Sequence, residues 1–312
     1  MPSENFIYRQ VQRLRYHMAS DPVEKRIAEI NFYERRISIQ NSGYFIKNLS
    51  LLLPLSGFSF LFDIRVFELF LSNARRLSGT YTYENDLLVF SFGNHRIYIS
   101  SASELFIIDE IFVQKCYNFK VPGAEKIGII DIGMNAGLAS LFFANQSNVT
   151  KVISFEPFKP TFTKALTNFQ LNPHLASKIF PHNIGLGKGN ASLNVRYNSE
   201  NAGINSASNE QIDRENGSGG ETVLLKDARS VIDDLLLENP ELEFIVKIDT
   251  EGSEYPIFES LFTTPVDVRI KGFFIEWHDH GPAPLESKLL GEGFCLASVI
   301  LNENTGLIYA FR

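Results

Sequence analysis

The sequence offers little covalent or membrane-crossing potential. Its two cysteines, Cys116 and Cys295, stand far apart in 312 residues. They match no metal-ligand or redox spacing and are too few for a disulfide framework. This excludes a disulfide-stapled module and suits a reducing, cytoplasmic setting. The most apolar stretch, Leu49 to Phe62, contains Pro54 and Gly57 and stops at Asp63. It is too short to span a bilayer and is read as a buried helix or turn rather than a membrane-surface patch. Met1 to Tyr16 carry charges and no apolar run of signal-peptide length, so the sequons at Asn148 and Asn190 are read as chance. Positive charge is also scarce. With 29 Lys and Arg against 36 Asp and Glu, the formal net charge is -7, and nucleic acid is not the expected partner. A hydrophobic content of 44% does supply a full core and excludes global disorder.

Two regions differ in pattern. In residues 5–40, Pro22 follows Asp21 as at a helix start, and Ile27, Ile30, Tyr33 and Ile37 recur at three- and four-residue steps. Ile64 to Leu77 also reads as helix. The expectation is a helical N-terminal extension over 1–79 and a second domain over 80–312. At Ser78-Gly79-Thr80 the pattern changes. Leu87–Phe92 and Ile97–Ser100 flank Gly93-Asn94, a hairpin signal, and Ser103 to Phe119 reads as helix.

From Lys126 onward, strands and helices alternate. The strands are Ile127–Ile132, Val152–Phe155, Ile179–Ile184, Phe244–Ile248 and Gly272–Trp277. Most are apolar and β-branched, as suits parallel strands buried on both faces; Pro181 disturbs the third. Phe294–Leu301 and Leu307–Phe311 form a closing hairpin. The fold class is therefore α/β, a mostly parallel sheet with an antiparallel C-terminal edge behind a helical extension. Asn201 to Gly220, rich in Asn, Ser, Gly and Glu, reads as a mobile surface loop or lid.

The strongest local signal is Ile129-Ile130-Asp131-Ile132-Gly133-Met134-Asn135-Ala136-Gly137, a buried strand running into a Gly-x-x-x-Gly turn. A dinucleotide site requires Gly-x-Gly-x-x-Gly, because a pyrophosphate draws on several exposed amides. Asn135 stands where the middle glycine would be. Asp131 just before the turn suits a cationic, amino-acid-like ligand better than a pyrophosphate. Glu156, in Phe155-Glu156-Pro157, follows at the distance where an acid accepts both ribose hydroxyls of an adenosine.

These segments resemble the class I methyltransferases and, more narrowly, the FkbM family. The likeness covers about residues 80–312. It continues through Asn183-Ile184-Gly185-Leu186-Gly187 and Val246-Lys247-Ile248-Asp249-Thr250-Glu251-Gly252-Ser253-Glu254, the most specific segment. Glu110-Ile111-Phe112 with Tyr117 and Asn201-Ala202-Gly203 are weaker echoes. Met134 departs from the usual small residue of the turn. The resemblance implies a Rossmann-like fold and S-adenosylmethionine as cofactor. It implies that Asp131, Gly133, Asn135 and Gly137 line the methionine part, that Glu156 holds the ribose, and that Pro157 and Asn183 lie near the adenine. It points to O-methylation of a sugar or other natural-product hydroxyl, so the partner is a small-molecule or saccharide acceptor.

Ligands of open α/β sheets sit beyond the carboxyl ends of the strands. Asp249 ends the fourth strand and Glu276 nearly ends the fifth, before Trp277-His278-Asp279-His280. Methyl transfer from a sulfonium requires alignment and, for a hydroxyl acceptor, a base. Asp249 and His278 are the candidate catalytic residues. Glu251 and Glu254 open the next helix, where carboxylates suit its dipole, and Lys247 reads as structural. Mg²⁺ held by Asp249 and Glu276 is a further hypothesis. The N-terminal region is a candidate cover for the acceptor pocket or a homo-oligomer contact. Competing readings are an NAD(P)-linked oxidoreductase, which Asn135 and Asp131 oppose, and a non-catalytic methyltransferase-like binding protein.

Overall fold

The computed structural model describes residues 13–18, 26–31, 36–41, 49–118, 126–196 and 220–312. The chain divides into two compact units, 1–116 and 117–312. The expected boundary at 79/80 falls inside the first unit.

Among its described residues, the first unit opens with strands, not helices. β1 (Arg13–Met18), β2 (Arg26–Asn31), β3 (Arg36–Asn41) and β4 (Leu49–Pro54) form an antiparallel meander in that order. The helical expectation is thereby corrected over 13–18, 26–31 and 36–40, while the rest of residues 5–40, Pro22 and Tyr33 included, lies outside the described residues. The physical reason is a competing period. Ile37 and Ile39 alternate on β3, Leu51 and Leu53 alternate on β4, and all four are buried. Ile37 faces Leu53 and Ile39 faces Leu51 across the ladder. A period of two is what a sheet with one buried face requires. The apolar stretch read as a buried helix or turn is this strand followed by a 3-10 turn at Ser59–Phe62.

α1 (Ile64–Arg76) is a helix as expected. Asp63 caps it, accepting from Arg65 N at 2.8 Å and Val66 N at 3.4 Å, while Arg75 and Arg76 sit in the last turn. Its buried stripe, Val66, Phe67, Phe70, Leu71 and Ala74, follows the helical period. β5 (Thr80–Glu84), β6 (Leu87–Phe92) and β7 (His95–Ile99) form a second antiparallel sheet. Tyr81 stacks between Phe70 and Phe90, with centroid distances of 3.7 and 4.3 Å. α2 (Ala102–Ile108) continues as a π turn to Val113, so the helix stops short of the expected Phe119.

The second unit alternates strand and helix. In chain order it contains β8 (Ile127–Ile132), α3 (Leu138–Ala144), β9 (Val149–Phe155), α4 (Lys159–Leu171), α5 (Pro173–Ala176), β10 (Ile179–His182), β11 (Gly185–Gly187), β12 (Ala191–Arg196) and β13 (Gly220–Asp227). It then runs through α6 (Ala228–Glu238), β14 (Glu243–Ile248), α7 (Glu254–Leu261), β15 (Ile270–His278), α8 (Ala283–Gly291), β16 (Cys295–Ile300) and β17 (Thr305–Phe311). Seven strands form one sheet in the order β10-β9-β8-β14-β15-β17-β16. β17 runs antiparallel to both β15 and β16, and the other neighbours are parallel. This is the expected Rossmann-like sheet with a hairpin edge. Pro181 is tolerated because β10 is the other edge, where a missing N–H breaks no ladder. β8 is buried along its whole length, which explains its unbroken apolar run.

A small sheet, β11-β13-β12, was not read from the sequence. The anticipated lid, apart from its last residue Gly220 at the start of β13, and the Asn201-Ala202-Gly203 segment lie outside the described residues. Among the described residues, no helix is long and apolar enough to cross a membrane.

Between β8 and β14 the chain order reverses: β8 is followed outward by β9, and β14 by β15. Such a switch point opens the crevice in which α/β sheets bind ligands.

Candidate functional site

The turn after β8 satisfies its own amides. Gly133 N and Met134 N donate to Phe155 O at 3.1 and 2.9 Å, and Gly137 N donates to Met134 O at 3.0 Å. Asn135 N donates to Glu156 Oε2 at 2.9 Å, and Ala136 N to Asn135 Oδ1 at 2.7 Å. No amide from Gly133 to Gly137 is left for a phosphate, so the arrangement lacks the donor cradle of a dinucleotide loop. Gly133 has φ +81, and a Cβ there would land on the carbonyl oxygen of Asp249. Gly137, at φ +80, backs onto α4: a Cβ would lie 2.6 Å from the Phe169 ring. Asn135 adopts φ +52, a left-handed conformation that asparagine tolerates.

Glu156 is buried, yet its carboxylate is held in place. Phe158 N donates to Oε1 at 3.0 Å, and Asn135 N to Oε2. Each oxygen therefore keeps a lone pair for a further donor. Burial pushes this carboxyl up to about 7, against the pull of the two amides and Lys247 and with a push from Asp131. Asn183 Nδ2 donates to Glu156 O at 2.9 Å and Pro157 O at 3.1 Å, fixing the bend that presents the acid.

A polar ladder runs through the sheet below. Ser154, Asp131 and Lys247 are register partners on β9, β8 and β14. Ser140 Oγ donates to Asp131 Oδ2 at 2.6 Å and lies 2.7 Å from Ser154 Oγ. Lys247 Nζ lies 3.2 Å from Asp131 Oδ1 and 3.3 Å from Asp249 Oδ2, and donates to Gly133 O at 2.6 Å. Burial alone would lower this lysine, but Asp131 and Asp249 overcome it and hold the ammonium above its ordinary range. Asp131 is 0% exposed and already matched, so it offers no surface to a ligand. Gly137 is buried as well. Both lie behind the turn. Gly133, Asn135, Pro157 and Asn183 remain partly accessible.

At the ends of β14 and β15 the charges no longer balance. The loop from Asp249 to Ser253 turns through Glu251 at φ +55 and Gly252 at φ +103. His278 Nε2 lies 3.5 Å from Glu251 Oε2 and 3.8 Å from Glu276 Oε1, and Nδ1 lies 3.1 Å from Glu254 Oε1. Asp249, Glu251 and His278 each place a donor atom within 4.8 Å of the others, a span that one cation could bridge. This trio shares Asp249 with the anticipated Mg²⁺ pair but not Glu276, which accepts from Thr305 Oγ1 at 3.3 Å. Protons and Lys247 already partly offset the trio's negative charge. Burial first, then Asp249, raises the Glu251 carboxyl to about 8 despite the pull of His278. Burial would lower His278, but Glu254, Glu251 and Asp249 together raise it to about 9. Two ionisable groups this close titrate as a pair.

The structure thus brings the two expected catalytic residues together, with Glu156 and Asn183 at the neighbouring strand ends. It also adds the ion pairs of Lys247, which the sequence marks only as structural, and the contact of Glu254 with His278, where the sequence marks only a helix-dipole acid. The signal for Lys247 was present: residues 247 and 249 alternate along a strand, so they share a face. Comparison with known proteins bears on the family. Residues 131–291 match the family described as Methyltransferase FkbM domain. "Methyltransferase 1" of Beauveria bassiana (strain ARSEF 2860) is 28% identical over 180 residues, spanning 53% of this chain and 71% of the relative. Similar solved structures include a methyltransferase FkbM from Methylobacillus flagellatus KT, at 13% identity, TM-score 0.41, and 81% and 60% of the two chains. Another is M. capricolum TrmK in complex with S-adenosyl-homocysteine, at 13% identity, TM-score 0.36, and 60% and 62%. The chain therefore spans less than two thirds of either solved relative. The matched span, Asp131 to Gly291, opens within the strand that carries the glycine turn and encloses Glu156, Asp249 and His278, and on that span the chain belongs to the FkbM family of S-adenosylmethionine-dependent methyltransferases.

Proposed function

We propose that S-adenosylmethionine binds beyond the carboxyl ends of β8, β9 and β14, and that its methyl group passes to a hydroxyl of a sugar or other natural product. The observation that carries this reading is Glu156, a buried carboxylate fixed by two amides with a lone pair left on each oxygen. Two vicinal ribose hydroxyls supply the two donors that complete it. Gly133 and Asn135 line the methionine end, and Pro157 and Asn183 flank the adenine. Asp131, Lys247 and Gly137 hold the turn without touching the ligand.

The acceptor side rests on Asp249 and His278. The electrophile arrives activated, so the protein's work is to align the acceptor oxygen and remove its proton. The acceptor oxygen attacks the methyl carbon, its proton passes to the cluster, and the sulfur–carbon bond pair returns to sulfur. On this reading turnover persists in EDTA. Loss on chelation with recovery on adding Mg²⁺ would reassign Asp249, Glu251 and His278 to cation binding.

The first test is calorimetric titration with S-adenosylmethionine, S-adenosylhomocysteine and NADH, on the wild-type chain and on Glu156→Ala. Saturable binding of both adenosyl ligands, lost in the variant, supports the reading; engagement of NADH alone would sink it. Tritium transfer from S-adenosylmethionine into a panel of glycosides and hydroxylated natural products then identifies the acceptor. Cofactor binding with no transfer, alongside a stable partner complex, would favour a binding protein.

A further inference from the structure

Glu254 does more than begin a helix. A carboxylate serves a helix dipole equally well in water, yet this side chain is 0% exposed. The loop before it explains how it is held. Left-handed Glu251 and Gly252 turn the chain back, so that Glu254 Oε1 accepts from Thr250 N at 2.8 Å and Thr250 Oγ1 at 3.1 Å. Gly252 N adds contacts of 3.2 and 3.0 Å to the two oxygens. The carboxylate is thus immobilised by its own loop before His278 is considered. Among the described residues, its ion-pair partner is His278, through Nδ1 at 3.1 Å.

We propose that Glu254 is the positioning residue for His278: it accepts the Nδ1–H hydrogen bond and leaves Nε2, on the side of Glu251 and Glu276, as the atom that receives the acceptor's proton. The inference rests on the reading of His278 as a base. Its chemistry is that of an acceptor-only group. An ionised carboxylate pairs with an imidazole nitrogen only when that nitrogen carries hydrogen, so the neutral ring is the Nδ1–H tautomer with a free lone pair on Nε2. During transfer the hydroxyl oxygen bonds to the methyl carbon and its proton bonds to Nε2. The sulfur–carbon pair leaves on sulfur, giving a thioether and an imidazolium beside Glu254. The groups facing the ring are Glu254 from α7, Asp249 and Glu251 from the preceding loop, and Glu276 from its own strand. Lys247 offsets Asp249 at 3.3 Å.

The test is nitrogen-15 NMR of the His278 ring in the whole chain with S-adenosylhomocysteine, for wild type, Glu254→Gln and His278→Gln. The expected result is Nδ1–H in neutral wild-type His278 and a downward pKa shift of about one unit or more in Glu254→Gln. Transfer to the best hydroxyl acceptor of the tritium panel should fall about tenfold or more in that variant, with KM for S-adenosylmethionine changed less than about twofold. The acid limb of its pH profile should move with the NMR pKa. A purely structural role for Glu254 would not move that limb. Wild-type His278 in the Nε2–H form overturns the inference without any variant having to fold. A ring pKa unmoved in Glu254→Gln overturns it while leaving His278 as base. A ring pKa that moves while His278→Gln transfers methyl groups like wild type overturns the base reading, and the inference falls with it.

Discussion

The two halves of the site treat charge in opposite ways. Around the glycine turn every amide from Gly133 to Gly137 has a partner, and Asp131 is matched by Ser140 and Lys247. At the ends of β14 and β15, Asp249, Glu251, Glu254 and Glu276 surround one imidazole. The first half is finished before a ligand arrives and reads as a preformed frame. The second holds surplus negative charge that only protons or an arriving group can relieve, which is how pKa values are moved toward the working range. Lys247 joins them, since it touches Gly133 O, Asp131 and Asp249.

Breaking that link should produce the largest effect. Lys247→Met leaves Asp131 buried without its cation, which costs roughly 3–5 kcal/mol. Urea denaturation measures it. Pairing the change with Asp131→Asn should recover much of the loss, and a double variant as unstable as the sum of the singles would show that the two charges are not coupled. Next comes Gly133→Ala. It combines a left-handed φ with a collision against Asp249 O, so a loss of roughly 3 kcal/mol is expected on the same measurement. A loss below about 1 kcal/mol would mean that the two strand ends are not locked together.

Much of this frame was legible in the sequence, for a physical reason. Parallel strands covered on both faces must be apolar throughout, so β8, β14 and β15 announce themselves as Ile-, Val- and Phe-rich runs. Glu156 is read from its distance beyond the glycine turn, and Asp249 and His278 from the carboxyl ends of the fourth and fifth strands, where open α/β sheets hold their ligands. The N-terminal meander was not. Ile27, Ile30, Tyr33 and Ile37 suggest a helix, whereas the alternation of Ile37 with Ile39 and of Leu51 with Leu53 decides the outcome only once the strands pair. Glu254 was read as a helix-dipole acid because its loop contacts depend on left-handed Glu251, a conformation that nothing in the sequence signals for a glutamate.

The two halves also differ in how they titrate. On the proposed reading the base must be deprotonated, and His278 is raised to about 9 and Glu251 to about 8. Transfer should therefore climb more than tenfold between pH 7 and 9. Stability should run the other way. Both folded pKa values lie above the unfolded ones, so the folded state is favoured at low pH. The contribution from Glu251 fades between about 4.5 and 8, and that from His278 between about 6.5 and 9. The melting temperature should fall across pH 6.5–9 while activity rises. A fall that ends near pH 8 in His278→Gln, rather than running on to pH 9, would assign the upper part of the trend to His278.

The smallest expected effect lies on the cofactor side and tests whether the preformed frame is indifferent to pH. One group in it is not. Glu156 is raised to about 7, chiefly by burial. On the proposed reading only the ionised carboxylate accepts from both ribose hydroxyls, so binding draws on the deprotonated form. The ionised fraction falls about tenfold between pH 8 and pH 6, and the dissociation constant of S-adenosylhomocysteine should weaken by about that factor, near 1.4 kcal/mol. S-adenosylhomocysteine is the better ligand for this titration because it lacks the sulfonium charge. Glu156→Gln should bind weakly at both pH values and lose the dependence. A wild-type dependence centred on pH 9 instead would place the linked proton on His278, and the two halves would then not be electrostatically separate.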